Sequence, residues 1–366
     1  GTLLSARKKS LVSRVGDLCL IVAFSGIYTI YGVQDFGHIF EAVRFEGSLL
    51  GNHAWIGWLI IFSAILKSAQ FPFHALLPDT MGAPTPVSAL MQAGIINGGG
   101  YLVVRLSPVL VHIPSALHML AIVGAVTAVY ASMVMLSQTS VKRALAYSTI
   151  AQMGFMLLQC GLGAFHLAVL HLVAHSLYKG HAYLSCGSAV ETAKKLNAGP
   201  HYAKLRPSRI WLAIGVSFAI VVVLSIPFNV SPSDKPGMLV LSMVVVMALT
   251  QLLWTAMRRG QAGIAFAGTT GVAVSIAALY YLLAMVTEMM LSSTVPAKVP
   301  VAPIFETIIA VLLLGFLVTS MLLVSRFLGF LVSLMLVVSW FLGFLVPLAS
   351  QVSWFLGFCN LFLIHI

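Results

Sequence analysis

Residues 54–77 read AWIGWLIIFSAILKSAQFPFHALL, an almost unbroken apolar run with a single charged side chain, Lys67. A helix needs roughly 20 apolar residues to cross about 30 Å of hydrocarbon, and this run is long enough. Pro72 follows closely behind Lys67 and lacks a backbone hydrogen-bond donor, so the helix has to end or break near it. The run therefore predicts a membrane-embedded helix that is interrupted beside a lysine.

The rest of the chain has the same apolar character. Of the 366 residues, 60% are hydrophobic and 8% are charged, whereas about a quarter of the residues in soluble domains are charged. A water-soluble globular domain is thereby excluded. Besides 54–77, membrane spans are predicted at 15–33, 86–106, 115–137, 145–163, 165–190, 210–229, 238–257, 263–291 and 303–323, with one or two more in 327–366. The predicted fold is an all-α, polytopic transmembrane helix bundle with broken helices and ten or eleven spans.

The net charge of +11 reflects membrane topology and not a nucleic-acid partner. When the spans are threaded alternately across a bilayer, 14 of the 20 Lys and Arg residues fall on one side. The other side receives Arg44, Arg105, Lys235 and Lys298. Loops rich in Lys and Arg stay in the cytoplasm, so the basic side is predicted to be cytoplasmic. The remaining two, Lys67 and Lys179, lie within predicted spans.

Three regions are predicted along the chain. Residues 1–195 contain the intramembrane lysines, and residues 196–324 form a second group of transmembrane helices. Residues 325–366 repeat the pattern S-[RW]-F-L-G-F every 14 positions, beginning at Ser325, Ser339 and Ser353. This repeat contains almost no ionisable side chain, so we interpret it as a structural hydrophobic helix or helices.

Prolines also interrupt the apolar sequence after Pro72. Pro78, Pro84 and Pro86 each remove a backbone donor before the next span begins. Broken helices at membrane depth line hydrated cavities in many transporters. The alternative interpretation is a cytoplasmic loop that joins 54–77 to 86–106.

The two intramembrane lysines are the first candidates for function. A charged side chain inside the bilayer is costly, so such residues are neutral, paired or hydrated, and they mark ion pathways. For Lys67 the alternatives are a side chain that reaches the basic interface and a static ion pair. Asp17, at the start of the first span, is predicted to pair with Arg14.

The segment HLVAHSLYKGH places His171, His175 and Lys179 four residues apart. On one helix they lie within about 80° of arc, each one turn from the next. Because histidine exchanges protons near neutral pH, this stripe indicates a proton wire. Paired histidines one turn apart also occur in zinc sites, but the Glu of HExxH is missing and Lys179 would repel a metal. No metal or redox cofactor is therefore expected in this chain.

Other candidates are weaker. Gln92 is a polar position in the predicted span 86–106, and Glu288 lies near the end of the span 263–291. Gly94, Gly98, Gly99 and Gly100 are expected to allow close helix packing and not to bind phosphate, because no Walker-type lysine follows. No motif of a soluble-type enzyme is found, so a transport or energy-coupling subunit is favoured over a catalyst.

Three motifs in order resemble one protein superfamily. They are KSAQFPFHALLPD (67–79), PTPVSAL (84–90) and VKRALAYSTIAQMG (141–154). They are similar to the proton-translocating antiporter-like subunits, which include the large membrane subunits of respiratory complex I, the Mrp sodium/proton antiporters and DabB, a membrane subunit for bacterial inorganic-carbon uptake. Two segments, 93–105 and 174–188, look most like DabB, and no G-F-x-S-K-[DE] pattern follows residue 200.

The resemblance implies roles for individual residues. Lys67 matches the central lysine of a broken helix, and His171, His175 and Lys179 match a relay toward the second half of the fold. Structural-motif positions are Asp79, Pro84, Pro86 and Arg143. Gln92 stands where many relatives have histidine. Because the helix with the family's glutamate partner would precede Gly1, we expect Lys67 to lack its counter-charge within this chain.

The resemblance also implies a function. The expected protein is a proton-conducting, multi-pass subunit of an inorganic-carbon uptake complex in a bacterial inner membrane. Its implied partner is a DabA-like peripheral cytoplasmic subunit that is zinc-containing and related to carbonic anhydrase, so that proton entry drives hydration of CO2 to bicarbonate. One alternative is a subunit of complex I or of an Mrp antiporter, and another is a non-conducting membrane anchor.

Overall fold

The computed structural model describes residues 2–33, 35–46, 48–195, 208–228, 237–258 and 264–296. All regular secondary structure in these ranges is helical, which confirms the predicted all-α fold. The helices are α1 (Thr2–Tyr31), α2 (Phe36–Glu46), α3 (Ser48–Asn52), α4 (Trp55–Lys67), α5 (Thr85–Ala93), α6 (Gly98–Arg105), α7 (Ser107–Leu110), α8 (Pro114–Leu136), α9 (Val141–Gly161), α10 (Phe165–Lys195), α11 (Ser208–Ser225), α12 (Gly237–Arg258) and α13 (Ile264–Leu291).

Several of these helices suit a membrane. Four helical segments in the described part of the chain are long and apolar enough to cross a bilayer: Leu4–Tyr31, Thr85–Arg105, Pro114–Met135 and Phe266–Leu291. Large apolar side chains such as Trp211 and Phe218 point outward and are mostly exposed, as expected for a surface that faces lipid. The protein is therefore a multi-pass membrane protein. The predicted total of ten or eleven spans stays a prediction, because 303–323 and 327–366 lie outside the described residues.

The predicted span 54–77 is shorter in the structure. Helix α4 ends at Lys67, ten residues before the predicted end. Residues between it and α5 form two 3-10 turns, Phe73–Leu76 and Pro78–Thr80. The prolines of this segment explain the early end, since each removes a helix donor. Pro86 instead lies in the first turn of α5, where its missing N–H costs nothing.

The predicted span 86–106 is present as the apolar segment Thr85–Arg105, but its helix is broken in its middle. Helix α5 ends at Ala93, a 3-10 turn covers Ile95–Asn97, and α6 begins at Gly98. Close packing is predicted for four glycines here, and the structure shows it between helices for two of them, Gly99 and Gly100. A Cβ on Gly99 would collide with the carbonyl oxygen of Ala64 in α4, and one on Gly100 would collide with the Met156 side chain in α9.

Helices α8 and α9 form an antiparallel pair with direct backbone contact. A Cβ added to Gly124 would lie 2.6 Å from the carbonyl oxygen of Gly154. A Cβ added to Gly154 would lie 2.7 Å from the carbonyl oxygen of Gly124. Small residues let two membrane helices approach this closely, so that backbone van der Waals contact holds them together. Helix α9 is consequently buried along most of its length.

Basic residues lie at both ends of the bundle and make different contacts there. At one end the Lys8 ammonium lies 3.7 Å from the Asp79 carboxylate, and Lys142 donates to the carbonyl oxygen of Ala83 over 3.5 Å. Arg44 and Arg105 line a common cavity at the other end. This arrangement agrees with the predicted separation of the basic residues between two sides.

Candidate functional site

Lys179 lies inside the bundle on α10. Its side chain is fully buried. The ammonium donates to the Ser148 hydroxyl oxygen over 2.9 Å and, more weakly, to the Leu145 carbonyl oxygen over 3.4 Å. Both acceptors belong to α9, and no carboxylate oxygen in the described part of the chain lies within 4.0 Å of this nitrogen. Lys179 is therefore held by neutral oxygens and not by an ion pair.

His171 and His175 continue the line from Lys179 along α10. Their ring centroids are 6.2 Å apart, and both side chains are buried. Nδ1 of His171 lies at hydrogen-bond distance, 3.0 Å, from Oε1 of Gln159. Neither ring nitrogen of His175 has a hydrogen-bond partner among the described protein atoms. Buried polar nitrogens without a protein partner usually bind an ordered water molecule, so we expect water beside His175.

A second polar row on α9 faces this stripe, and sequence reasoning did not single it out. Ser148 contacts Lys179, and Gln159 contacts His171 at the opposite end. These two residues are separated by about three helical turns and so lie on one face, with Gln152 between them. Gln152 is buried as well. The same spacing argument that identified the α10 stripe could have identified this row.

Lys67 has a counter-charge within this chain, contrary to expectation. Its ammonium donates to the Asp17 carboxylate over 2.5 Å. The predicted pairing of Asp17 with Arg14 is therefore replaced by a contact between α1 and α4. Gly16 lets α1 approach α4 closely enough for this contact. A Cβ at this position would lie only 3.3 Å from the Ser63 hydroxyl oxygen of α4. The Asp17 side chain is 54% exposed and that of Lys67 24%, so the pair lies at the margin of the bundle.

The break between α5 and α6 lies between the two lysine sites. On one side the Ser68 hydroxyl, next to Lys67, donates to the carbonyl oxygen of Ile96 over 3.1 Å. On the other side Nδ2 of Asn97 donates to the Ser176 hydroxyl oxygen on α10 over 2.8 Å. The 3-10 turn therefore joins the end of α4 to the helix that holds the His/Lys stripe.

Gln92 lies one turn before this break on α5. Its side chain is fully buried, and neither its amide nitrogen nor its amide oxygen has a hydrogen-bond partner among the described protein atoms. Its neighbour Ala93 packs near Gly180 of α10, where a Cβ would be 3.9 Å away. The structure thus places Gln92 on the helix that packs against the stripe-bearing α10.

The other predicted residues lie apart from this line. Asp79 sits in the loop between α4 and α5 and contacts Lys8, while Arg143 lies in the first turn of α9. Pro84 precedes α5 directly, and Glu288 lies in the last turn of α13. Among the described residues, no group of three or more His, Cys, Asp and Glu side chains could hold a metal ion.

These contacts define what the site can do chemically. Lys179, His175 and His171 are three groups that each bind and release one proton, and they follow one another at single-turn spacing. Their surroundings supply hydrogen-bonding oxygens on α9 and in the helix break. The arrangement suits the passage of protons, and no carboxylate among the described side chains pairs with Lys179 and would immobilise its proton.

Comparison with known proteins shows the family of the chain. Residues 2–259 match the family described as NADH:quinone oxidoreductase/Mrp antiporter, transmembrane. The chain is 36% identical over 324 residues to the probable inorganic carbon transporter subunit DabB2 of Halothiobacillus neapolitanus, covering 87% of this chain and 58% of that protein. It is 48% identical over 192 residues to DabB1 of the same organism, covering 51% of this chain and 34% of that protein.

A solved structure gives a comparable match. The Mrp complex from Dietzia sp. DQ12-45-1b contains a chain with 28% identity and a TM-score of 0.49, and the match covers 91% of this chain and 35% of that chain.

The present chain spans between about a third and three-fifths of the length of the two DabB relatives. Because the family match extends over more than half of its residues, the chain belongs to the NADH:quinone oxidoreductase/Mrp antiporter transmembrane family.

Proposed function

We propose that this protein conducts protons as a membrane subunit of a bacterial inorganic-carbon uptake complex. The observation that carries the proposal is the position of Lys179, fully buried at the end of a histidine stripe and held by neutral oxygens. Intramembrane ionisable residues of this kind mark ion pathways.

Lys179 and the histidines take complementary parts in the proposed relay. The Ser148 hydroxyl and the Leu145 carbonyl accept hydrogen bonds from the charged ammonium and stabilise it. Since no carboxylate pairs with it among the described residues, the proton is free to leave for a neighbouring group. His175 and His171 receive protons in turn, and water beside His175 connects groups whose rings are too far apart for a direct hydrogen bond.

Lys67 and Asp17 form the second station of the proposed path. Their ion pair responds to protonation, because a proton on Asp17 removes the charge that holds Lys67. The hydrogen bonds of Ser68 and Asn97 connect this station to α10 through the helix break. Gln92, in the same broken helix, offers one further polar group for water at the point where many relatives have a histidine.

Carbon uptake is proposed from the relatives. Two proteins that share 36% and 48% identity with this chain are named as probable inorganic carbon transporter subunits. In the proposed complex a DabA-like, zinc-containing subunit related to carbonic anhydrase binds at the basic end of the bundle, in the cytoplasm, and hydrates CO2 to bicarbonate. Proton flow through this chain makes that hydration unidirectional.

Uptake measurements test the proposal. Lys179→Ala and Lys67→Ala are expected to abolish growth of the host at air levels of CO2 while the protein stays in the membrane at normal abundance. His38→Ala, which removes an exposed imidazole on α2 that lies outside the proposed path and away from the basic end, is the control and should leave uptake unchanged. Normal uptake by both Lys179→Ala and Lys67→Ala would contradict the proposed proton-conducting function and favour a non-conducting membrane anchor.

The family also contains subunits of complex I and of Mrp antiporters, and the family match favours these as the second candidate. Purification of the complex from its native membrane separates the possibilities. A complex I subunit would arrive with iron–sulfur proteins, an Mrp subunit with several small membrane proteins, and the proposed subunit with one zinc-containing cytoplasmic protein.

A further inference from the structure

A cavity of about 410 Å³ opens at the end of the bundle that is opposite Lys8 and Lys142. Helix α2, the end of α6, the turn before α8 and the residues after α13 enclose it. Its cationic lining consists of Arg44 and Arg105, and its hydroxyl lining consists of Ser292, Ser293 and Thr294. None of these residues takes part in the proposed proton path.

Neither guanidinium group has a carboxylate partner among the described side chains. No carboxylate oxygen of a described side chain lies within 4.0 Å of Arg44 or Arg105. Glu41 precedes Arg44 by one turn on α2 but does not line the cavity. The Arg105 guanidinium carbon lies 5.3 Å from the Phe36 ring centroid and 5.4 Å from that of Phe40, which fixes its position by cation–π contact. Among the described side chains, the lining therefore carries positive charge that no carboxylate balances.

The remaining polar lining suits an oxyanion. Burial lowers the pKa of His112, so at neutral pH its imidazole is a neutral hydrogen-bonding group beside the two arginines. Guanidinium groups bind phosphate oxygens with paired hydrogen bonds. The Ser293 hydroxyl can supply a further donor, whereas the hydroxyls of Ser292 and Thr294 already donate to the carbonyl oxygens of Met289 and Leu291. Apolar side chains, including Phe40 and Val295, form the rest of the wall.

We propose that this cavity binds the phosphate of an anionic phospholipid headgroup. Its cationic groups lie at the ends of membrane helices, which is the level of headgroups in a bilayer, and its apolar wall can contact the attached glycerol and acyl chain. A bound headgroup would join α2 and α6 to the segment that follows α13. Val295, in that segment, already packs against the main core, so the lipid would fasten the last described helix to the first half of the bundle.

Native mass spectrometry of the purified protein with added lipid tests this site. Phosphatidylglycerol should remain bound to the wild-type protein and phosphatidylcholine should not. The double variant Arg44→Gln/Arg105→Gln should bind phosphatidylglycerol about tenfold more weakly, because charge-assisted hydrogen bonds are lost. Arg7→Gln, which removes an exposed arginine at the other end of the bundle, should bind like the wild type.

The remaining outcomes are also decisive. Equal retention of phosphatidylglycerol by the double variant and the wild type would refute the site. Binding of inorganic phosphate that displaces the lipid at equal concentration would refute the lipid as occupant and assign a free anion. If the double variant unfolds in detergent, Arg44→Lys/Arg105→Lys replaces it. The lysine variant keeps the positive charge but loses the paired hydrogen bonds of the guanidinium groups. It should bind phosphatidylglycerol more weakly than the wild type at an unchanged melting temperature.

Discussion

The Lys179 ammonium donates a hydrogen bond to the Ser148 hydroxyl oxygen over 2.9 Å, in a part of the bundle where the lysine side chain has no solvent exposure. This contact links α10 to α9 at one end of the stripe formed by His171, His175 and Lys179. A hydroxyl oxygen stabilises the ammonium less than a carboxylate would, so the bond can hold a charge without trapping it. In the proposed relay, this hydrogen bond would set how readily Lys179 gains and loses its proton.

Ser148→Ala is expected to slow proton flux about tenfold without unfolding the protein. The substitution removes one hydrogen bond to a charged group, which contributes about 1.5 to 3 kcal/mol, and leaves only the longer contact to the Leu145 carbonyl oxygen. Ser148→Thr retains the hydroxyl and should restore most of the flux. Flux measured with a pH-sensitive dye in vesicles checks both variants, and equal rates for alanine and threonine would show that the hydroxyl is not used.

Gln92→Leu should lower proton flux while leaving the melting temperature equal or higher. The glutamine amide is buried and has no hydrogen-bond partner among the described protein atoms, so an apolar residue of similar size removes a polar group without breaking a protein contact. A fall in flux at unchanged stability would assign Gln92 to the path. Unchanged flux would remove it from the proposed site.

The contact between Asp17 and Lys67 should show a measurable coupling energy. Because the pair is partly exposed, we expect about 1 kcal/mol or less from a double-mutant cycle with Asp17→Asn and Lys67→Gln. Each single variant leaves one charge unpaired and should melt at a lower temperature than the double variant. Additive effects in the melting experiment would mean that the ion pair does not form in the membrane.

Gly154→Ala should destabilise the protein by about 1 to 3 kcal/mol, because the new methyl group would collide with backbone atoms of α8. Its Cβ would lie 2.7 Å from the Gly124 carbonyl oxygen and 2.8 Å from the Ala128 nitrogen. Gly271→Ala on α13 is the matched control, since no atom lies within 4 Å of a Cβ there. Thermal unfolding in detergent compares the two, and similar melting temperatures would argue against the tight α8–α9 contact.

The helical class and the stripe on α10 could be predicted because both depend on local periodicity. Apolar runs of sufficient length predict membrane helices, and residues four apart share a helix face wherever the helix lies. The same reasoning applies to Ser148 and Gln159 on α9. Isolated serines and glutamines attract less attention than lysines and histidines, so this row was recognised only from its contacts.

Other features depend on long-range packing and were not predictable from local pattern. Asp17 and Lys67 are 50 positions apart in sequence, and their contact requires the register between α1 and α4 that Gly16 permits. The break at Ile95–Asn97 is similar, because glycines that allow close packing are also compatible with a continuous helix. The three-dimensional structure shows that Gly99 is needed because α6 lies against the Ala64 carbonyl oxygen of α4.

Proton flux through Lys179→Met decides whether protons pass along the stripe of His171, His175 and Lys179. The protein is reconstituted into vesicles with its native partners, a potassium diffusion potential is applied, and internal pH is followed by fluorescence, with His38→Ala, on exposed α2, as the control. Lys179→Met is predicted to abolish potential-driven acidification, while His38→Ala and the wild type acidify at equal rates. Acidification by Lys179→Met at the wild-type rate would contradict proton passage along the stripe.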